Sequence, residues 1–334
     1  MRVSAQIKSD DPAWDDWRWQ LRNRTREGVG DARAAALFPL RVTPYYAALG
    51  AGGNGADPIA RQWLPDAGEL EVGPGDAPDP FGERADAPAP GVVHRYPDRV
   101  VLLVTAACAV RCRFCTRRNT LATAGAGGGF DVSSAVEYLH RRGGVREVIL
   151  SGGDPLLLGT AELHRIVAAV EGVPHVEVLR IGSRAPVALP MRIDDDLCRM
   201  LASHGPIWLN THFNHPAELT PAAAAACRRL LRAGVPVSNQ TVLLRGVNDD
   251  ADTLVALCAG LQRMRVRPYY VFLRDPVAGT GHFAVPPAKA RRLERALQRR
   301  LGGLALPRFV ADRPGTPGKT PLRELPAAAG EGCG

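Results

Sequence analysis

The sequence predicts an α/β protein: a partial (β/α)6, TIM-like barrel with an N-terminal helical extension and a C-terminal loop that carries a lysine. Three observations predict it. From Arg99 onward, short apolar β-branched runs alternate with amphipathic stretches of helical period, the pattern of repeated βα units around a parallel sheet. Six such units can be counted, two fewer than a closed eightfold barrel needs. Every chemically loaded motif falls in a loop that follows a predicted strand, the end at which such barrels carry their sites.

Taken in order, residues 1–95 form an N-terminal helical and irregular region. Trp14, Trp17 and Trp19 have the spacing of a helical start, and the Gly/Pro-rich stretch from Gly50 to Gly91 disfavours a packed sheet. This region is expected to sit outside the barrel or across its opening. Residues 96–312 are the barrel. Its strands open at Val100, Glu147, Val176, Pro206, Val235 and Pro268, and Phe309 opens a last one. Helices fill the intervals at about 132–142, 161–171, 193–204, 219–233, 250–264 and 287–300. Residues 313–334 are the lysine loop and a tail that is Ala/Gly-rich beyond Leu322 and expected to be mobile.

A chain of 334 residues with 46% apolar content can bury a substantial core. No run approaches the roughly 18 consecutive apolar residues of a membrane span, and Met1 to Asp10 lack the apolar stretch of a signal peptide. A soluble, cytoplasmic protein is expected, with no membrane partner. The net charge of +8 comes from scattered arginines: of 42 basic residues, all but Lys8, Lys289 and Lys319 are arginine. These read as solvated helical faces, and an aromatic content of 6% offers little surface for base stacking, so a nucleic-acid partner is not expected. Chemistry that needs a lysine amine has three candidates.

Right after the first barrel strand comes Cys108-Ala-Val-Arg-Cys112-Arg-Phe-Cys115. Three thiolates in this spacing can hold three irons of a [4Fe-4S] cluster and leave the fourth iron open to another ligand. A structural zinc site wants a fourth protein ligand, and the nearest histidine, His94, lies on the far side of a strand. Cys198, Cys227 and Cys258 sit singly in apolar helical faces, as structural cysteines do. After the next strand, Ser151-Gly152-Gly153-Asp154 could let backbone approach a ligand closely and offer a carboxylate to an ammonium group, although Gly-Gly-Asp alone is more often a turn. The loop Asp312-Arg-Pro-Gly-Thr-Pro-Gly-Lys319-Thr departs from a phosphate-binding Walker pattern, because Arg313 stands where that pattern begins with Gly. Its alternatives are a surface lysine or a Schiff-base lysine for pyridoxal phosphate.

The cysteine spacing resembles that of radical S-adenosylmethionine enzymes. Over most of its length the chain resembles the lysine 2,3-aminomutase family, which uses that cofactor together with pyridoxal phosphate. The matching stretches are Trp14 to Gln20 with Arg22-Asn-Arg24, His94-Arg-Tyr-Pro-Asp-Arg99, Cys108 to Arg118, Asn210 to Pro216, Asn239 to Asp249, Arg267-Pro-Tyr-Tyr270 and the loop at Lys319.

The resemblance implies a radical S-adenosylmethionine barrel and the following site residues. Cys108, Cys112 and Cys115 carry the [4Fe-4S] cluster. Gly152, Gly153 and Asp154 belong to a methionine-binding loop, and His212 lies beside the adenosyl group. Lys319 takes pyridoxal phosphate as a Schiff base, with Arg95, Arg99 and Gln240 around that cofactor. Arg117 clamps the substrate α-carboxylate, and Asp275 and Asp312 bind its side-chain ammonium. It also implies a radical-driven migration of the amino group from C2 to C3, an electron donor such as flavodoxin or ferredoxin, and a homo-oligomer. Longer members carry a zinc site built from a cysteine after Gly-Val-Asn-Asp and further cysteines in an extension; here Asp250 and the single Cys333 stand in those regions, so structural zinc is not expected.

L-lysine going to β-lysine is the leading expectation. The lysine loop and ending also resemble the bacterial mutase that converts a lysine on elongation factor P. Arg274 and Arg313 flank the two carboxylates and could retune the site for arginine, glutamate or a protein-bound lysine. A non-catalytic iron–sulfur protein that binds nucleic acid is the remote alternative, and it would have no use for Lys319.

Overall fold

The computed structural model describes residues 30–50, 57–83, 87–123, 130–313, 315–316 and 318–326. The tryptophan-rich start, Arg22 to Arg24 and Cys333 lie outside the described residues. In chain order the elements are α1 (Ala32–Leu37), α2 (Pro44–Leu49), β1 (Val92–Tyr96), β2 (Arg99–Thr105), α3 (Arg118–Thr123), α4 (Val132–His140), β3 (Glu147–Gly152), α5 (Thr160–Glu171), β4 (Val178–Gly182), α6 (Ala185–Ala188), α7 (Asp195–Ala202), β5 (Ile207–Thr211), α8 (Pro221–Arg232), β6 (Val237–Val242), α9 (Ala251–Arg263), β7 (Arg267–Phe272), α10 (Pro287–Arg300), β8 (Arg308–Ala311) and β9 (Thr320–Pro321).

The nine strands form one sheet in sequence order. β2 to β8 run parallel, and β1 and β9 add antiparallel to its two edges. The edges do not pair with each other, so the barrel is open. All seven expected strands form and open within two residues of the expected positions, and the six expected helices match to the same margin.

Two features differ from expectation. β1 was hidden by the Gly/Pro-rich run before it and by an irregular register between Val93 and Tyr96, and it straddles the boundary drawn at residue 95. β9 is only two residues long and gives no periodic signal. Before β1, residues 57–83 include two 3-10 turns, Ala60–Gln62 and Ala67–Leu70, and bury Trp63 in the main core.

Alternation along the strands divides the barrel wall into two faces. On β2, Val100, Leu102 and Val104 are buried in the main core, whereas Arg99 and Val101 line the open interior. The helices begin where the sequence supplies caps: Asp131 for α4, Asp194 for α7, Thr220 with Pro221 for α8, and Asp250 for α9, each accepting backbone N–H groups of the first turn. Asp250, which follows the Gly-Val-Asn-Asp run, thus serves as an N-cap. No helix among the described residues is long and apolar enough to cross a membrane.

The N-terminal segment is joined to the barrel through buried charge. Glu69 is 3% exposed, and its two oxygens accept from Arg113 Nε at 2.8 Å and Arg113 Nη2 at 2.5 Å. Arg118 Nη2 adds a third bond at 2.6 Å. Arg113 also donates to the carbonyls of Phe38 and Ala34, and Arg118 to that of Gly279. Removing one partner of a buried pair leaves the other charge uncompensated, so Glu69→Ala is expected to cost about 3–5 kcal/mol. A urea titration would show this as a lower midpoint with an unchanged slope.

Candidate active site

The open interior is a cavity of about 630 Å³ lined by strand residues and by the loops after β2, β3, β4, β5, β7 and β8. All fourteen residues singled out from the sequence reach it: Arg95, Arg99, Cys108, Cys112, Cys115, Arg117, Gly152, Gly153, Asp154, His212, Gln240, Asp275, Asp312 and Lys319. Ten of them come from the loops after β2, β3, β5, β7 and β8, which meet because parallel strands end on one side, and Arg95, Arg99, Gly152 and Gln240 lie on the strands themselves.

The cysteine loop follows β2 without regular structure and is held from outside. Arg111 N donates to Arg41 O at 2.8 Å and Arg113 N to Gln62 O at 2.9 Å, both in the N-terminal segment. Burial pushes the Cys108 thiol up, and it pushes Cys115 up to about 11, with Cys112 adding to it. Such thiols stay protonated until a metal displaces the proton. Arg184 Nη1 donates to Cys112 Sγ at 2.8 Å. Among the described residues no three His, Cys, Asp or Glu side chains close on a single metal ion. Three thiols in one loop, all reaching the same cavity, fit the ligand set of a [4Fe-4S] cluster.

The glycine pair lines the cavity and also packs against the cysteine loop. Gly152 has φ +106°, and a Cβ on it would lie 2.5 Å from Thr105 O; one on Gly153 would lie 2.2 Å from Ala107 O. Gly153 N donates to Thr105 O at 2.6 Å and Asp154 N to Ala107 O at 2.7 Å. The glycines therefore let the end of β3 press against the cysteine loop itself. The Asp154 carboxylate is engaged by Ser183 Oγ at 2.7 Å, Arg184 N at 2.9 Å and Leu156 N at 3.1 Å, so it ties the β3 and β4 loops together instead of presenting itself to an ammonium. Burial is the main cause that raises its pKa.

On the opposite wall, Lys319 forms an ion pair with Asp312 and lies 3.4 Å from Tyr96 Oη. Asp312 also meets Arg95 Nη2 at 3.0 Å and Tyr96 Oη at 3.2 Å. The Arg99 guanidinium stacks 4.0 Å from the Tyr96 ring centroid and pairs with Asp98. Asp275 accepts from Thr116 Oγ1 at 2.6 Å, and its buried Oδ1 has no partner among the described residues. Burial, reinforced by the nearby Asp312 charge, pushes Asp275 up to about 6. His212 Nε2 is likewise buried and unpartnered, and burial with the Arg184 charge lowers His212 to about 3, so the ring is neutral. A lysine, two arginines and these unsatisfied polar atoms around one cavity fit pyridoxal phosphate and an adenosyl group.

Arg274 and Arg313 do not face this site. Arg274 donates to Asp76 Oδ1, Thr280 Oγ1 and its neighbour's carbonyl, and Arg313 is exposed. Neither lines the cavity.

Sequence reasoning missed Arg184, Glu83, Thr116 and Tyr96. Arg184 is 7% exposed and bonds Tyr46, Gln62 and Glu218 besides Cys112. Its position just after β4 was the available signal, since loops at strand ends carry sites. Glu83 pairs with Arg117 from a Gly/Pro-rich segment that gave none.

An open parallel barrel with three thiols in its first βα loop, above a cavity of arginines and a lysine, defines a radical S-adenosylmethionine enzyme, and residues 102–258 match the Radical SAM superfamily. The L-lysine 2,3-aminomutase of Fusobacterium nucleatum is 43% identical over 327 residues, covering 93% of this chain and 77% of that protein. That of Clostridium subterminale is 42% identical, covering 93% and 79%. The glutamate 2,3-aminomutase of Clostridioides difficile is 33% identical, covering 96% and 79%. The crystal structure of Streptococcus suis SuiB bound to precursor peptide SuiA shares the fold with a TM-score of 0.50 and 15% identity, over 65% of this chain and 49% of that one. The chain belongs to the lysine 2,3-aminomutase family. It is accordingly an isomerase, and its family implies a [4Fe-4S] cluster, S-adenosylmethionine and pyridoxal phosphate.

The contact between Gly153 and the cysteine loop leaves no room for a methyl group. Gly153→Ala is expected to displace that loop at a local cost of about 1–3 kcal/mol. The iron and sulfide retained after anaerobic reconstitution should fall sharply while the far-ultraviolet circular dichroism of the barrel is kept.

Proposed function

We propose that the protein moves the amino group of L-lysine between C2 and C3, interconverting L-lysine and L-β-lysine. The observation that carries this is the carboxylate pair Asp275 and Asp312. Asp312 already holds a lysine ammonium, that of Lys319, and Asp275 has an oxygen with no partner. A side-chain ammonium taken out of water needs such anionic partners. The carboxylate of a glutamate substrate would face the same two charges and be repelled. The Arg274 side chain donates to Asp76, and neither Arg274 nor Arg313 lines the cavity, so neither guanidinium occupies the space before the pair.

In this reading Cys108, Cys112 and Cys115 hold the cluster, and His212, Gly152 and Gly153 line the space for S-adenosylmethionine, with Asp154 fixing that loop. Lys319 carries pyridoxal phosphate, Arg95 and Arg99 present guanidinium forks to its phosphate, and Gln240 lies alongside. Arg117 receives the substrate α-carboxylate. When bound, the cluster and S-adenosylmethionine supply a carbon radical, and pyridoxal phosphate supplies an electron sink. The chain positions the reacting carbons and keeps water from them. An external one-electron donor, of the flavodoxin or ferredoxin type, would reduce the cluster.

The test is anaerobic turnover with all three cofactors and a reductant, screening free L-lysine, L-arginine and L-glutamate by mass spectrometry. β-Lysine is the expected product; cofactor-loaded enzyme that turns over none of the three, or only one of the others, overturns the reading. Lys319→Ala should abolish turnover together with the visible absorbance of the lysine-linked cofactor.

Ammonium binding needs Asp275 ionised, so its contribution is present above about 6 and lost as pH falls through that value. kcat/KM, which reports ionisations of the free enzyme, should therefore fall on the acid side of that point. Asp275→Asn should remove this limb and lower kcat/KM at pH 8 by about 2 kcal/mol or more in activation terms.

A further inference from the structure

We infer that Glu83 is a positioning residue for recognition of the substrate α-carboxylate, holding one edge of the Arg117 guanidinium so that the other edge faces the cavity. The inference rests on the role given to Arg117 above. A guanidinium is a planar fork of five N–H donors that a carboxylate can engage side-on, through Nε and one Nη, or end-on, through both Nη groups. Glu83 takes the side-on edge: Arg117 Nε donates to Glu83 Oε2 and Arg117 Nη2 to Glu83 Oε1, both at 2.6 Å. Nη1 donates to Ser151 Oγ on the cavity wall at 3.2 Å. One N–H of Nη1 and the outer N–H of Nη2 make up the end-on edge, and among the described residues nothing else accepts from them.

The pairing also decides where the Arg117 charge goes. Asp275 lines the same cavity and attracts Arg117 electrostatically. An arginine free to swing toward Asp275 would neutralise a carboxylate needed for an ammonium and would leave the substrate carboxylate without a partner. Glu83 prevents this by supplying a carboxylate at the other side. It is fixed in turn by its own backbone N–H, which donates to Asp79 Oδ1 at 3.0 Å. Glu83 thus keeps the cavity divided into an end that binds a carboxylate and an end that binds an ammonium.

The test uses holoenzyme loaded with cluster and pyridoxal phosphate, without S-adenosylmethionine. L-lysine and L-lysinamide are titrated separately, and Kd is read from the visible absorbance of the bound cofactor. Glu83→Gln is expected to raise Kd for L-lysine about tenfold, which corresponds to about 1.4 kcal/mol, while Kd for L-lysinamide, which lacks the carboxylate, stays within about twofold. In turnover the loss should appear in KM, with kcat at saturating lysine retained. Glu83→Asp, with a shorter carboxylate, is the second variant and should recover part of the preference for L-lysine.

Equal weakening of both ligands would make Glu83 a mere loop scaffold and overturn the inference. Tighter L-lysine binding would make it a competitor of the substrate and overturn it as well. Arg117→Met separates the two levels. If it leaves the preference for L-lysine over L-lysinamide intact, the carboxylate role of Arg117 fails and the inference falls with it. If it removes the preference while Glu83→Gln does not, only the inference fails.

Discussion

The structure depends on one buried carboxylate. A loop that must offer three thiols to a cavity cannot spend its side chains on a hydrophobic core, and it has no ladder or helix to hold it. What holds it is Glu69, from the N-terminal segment, gripping Arg113 inside the cysteine loop and Arg118 just after it. The arginines fall between and beyond the cysteines, so thiols and guanidiniums leave the loop on different sides. A charged anchor has a property an apolar one lacks: its hydrogen bonds have direction, and the forks of Arg113 and Arg118 fix the orientation as well as the position of the loop. The irregular segment before β1 is therefore part of the site's framework.

The remaining loops are fixed to that one in a chain. The β3 end meets the cysteine loop through Gly152 and Gly153, Asp154 reaches the β4 loop at Ser183 and Arg184, and Arg184 reaches back to Cys112 and to the carbonyl of His212 after β5. Each link joins successive strand ends by a hydrogen bond. Four loops thereby close into one assembly around a cavity that the open barrel leaves wide. A closed barrel of eight strands would fill that interior with side chains, so the missing strands are what make room for cofactors of this size.

Much of this was legible in the sequence, and the parts that were not share a cause. Strands β2 to β8 and their helices announced themselves because a short apolar run and a change of period coincide at each boundary, with a cap such as Asp131 or Asp250 at several of them. β1 lacked that coincidence, following Gly and Pro residues with an irregular register. The cysteines declared themselves by spacing and Lys319 by rarity and loop context. Glu69, Glu83 and Arg184 did not, because burial of a charge depends on what a distant segment brings to it; Glu69 and Arg113 are 44 residues apart. Asp154 shows the same limit from the other side. The sequence marked it correctly as a carboxylate at a strand end, but its partners come from the next βα unit, and they turn a candidate ligand into a brace.

The charges of the cavity obey a further rule: nearly every cation in it is already matched. Arg95 and Lys319 share Asp312, Arg99 has Asp98, Arg117 has Glu83 and Arg180 has Glu147. At Asp312 a site arranged this way can take a ligand cation by exchanging one ionic partner for another, without passing through an uncompensated buried charge. Asp312 is where that exchange matters most, because it serves two cations at once. Any chemistry that takes the charge from Lys319 leaves Asp312 with Arg95 and Tyr96 alone, beside an Asp275 that still has an unpartnered oxygen. The pair would then gain affinity for a fresh cation, and on the proposed reading the side-chain ammonium of a lysine substrate would restore that balance. In the reading proposed above, cofactor loading and substrate recognition would be coupled through this one carboxylate.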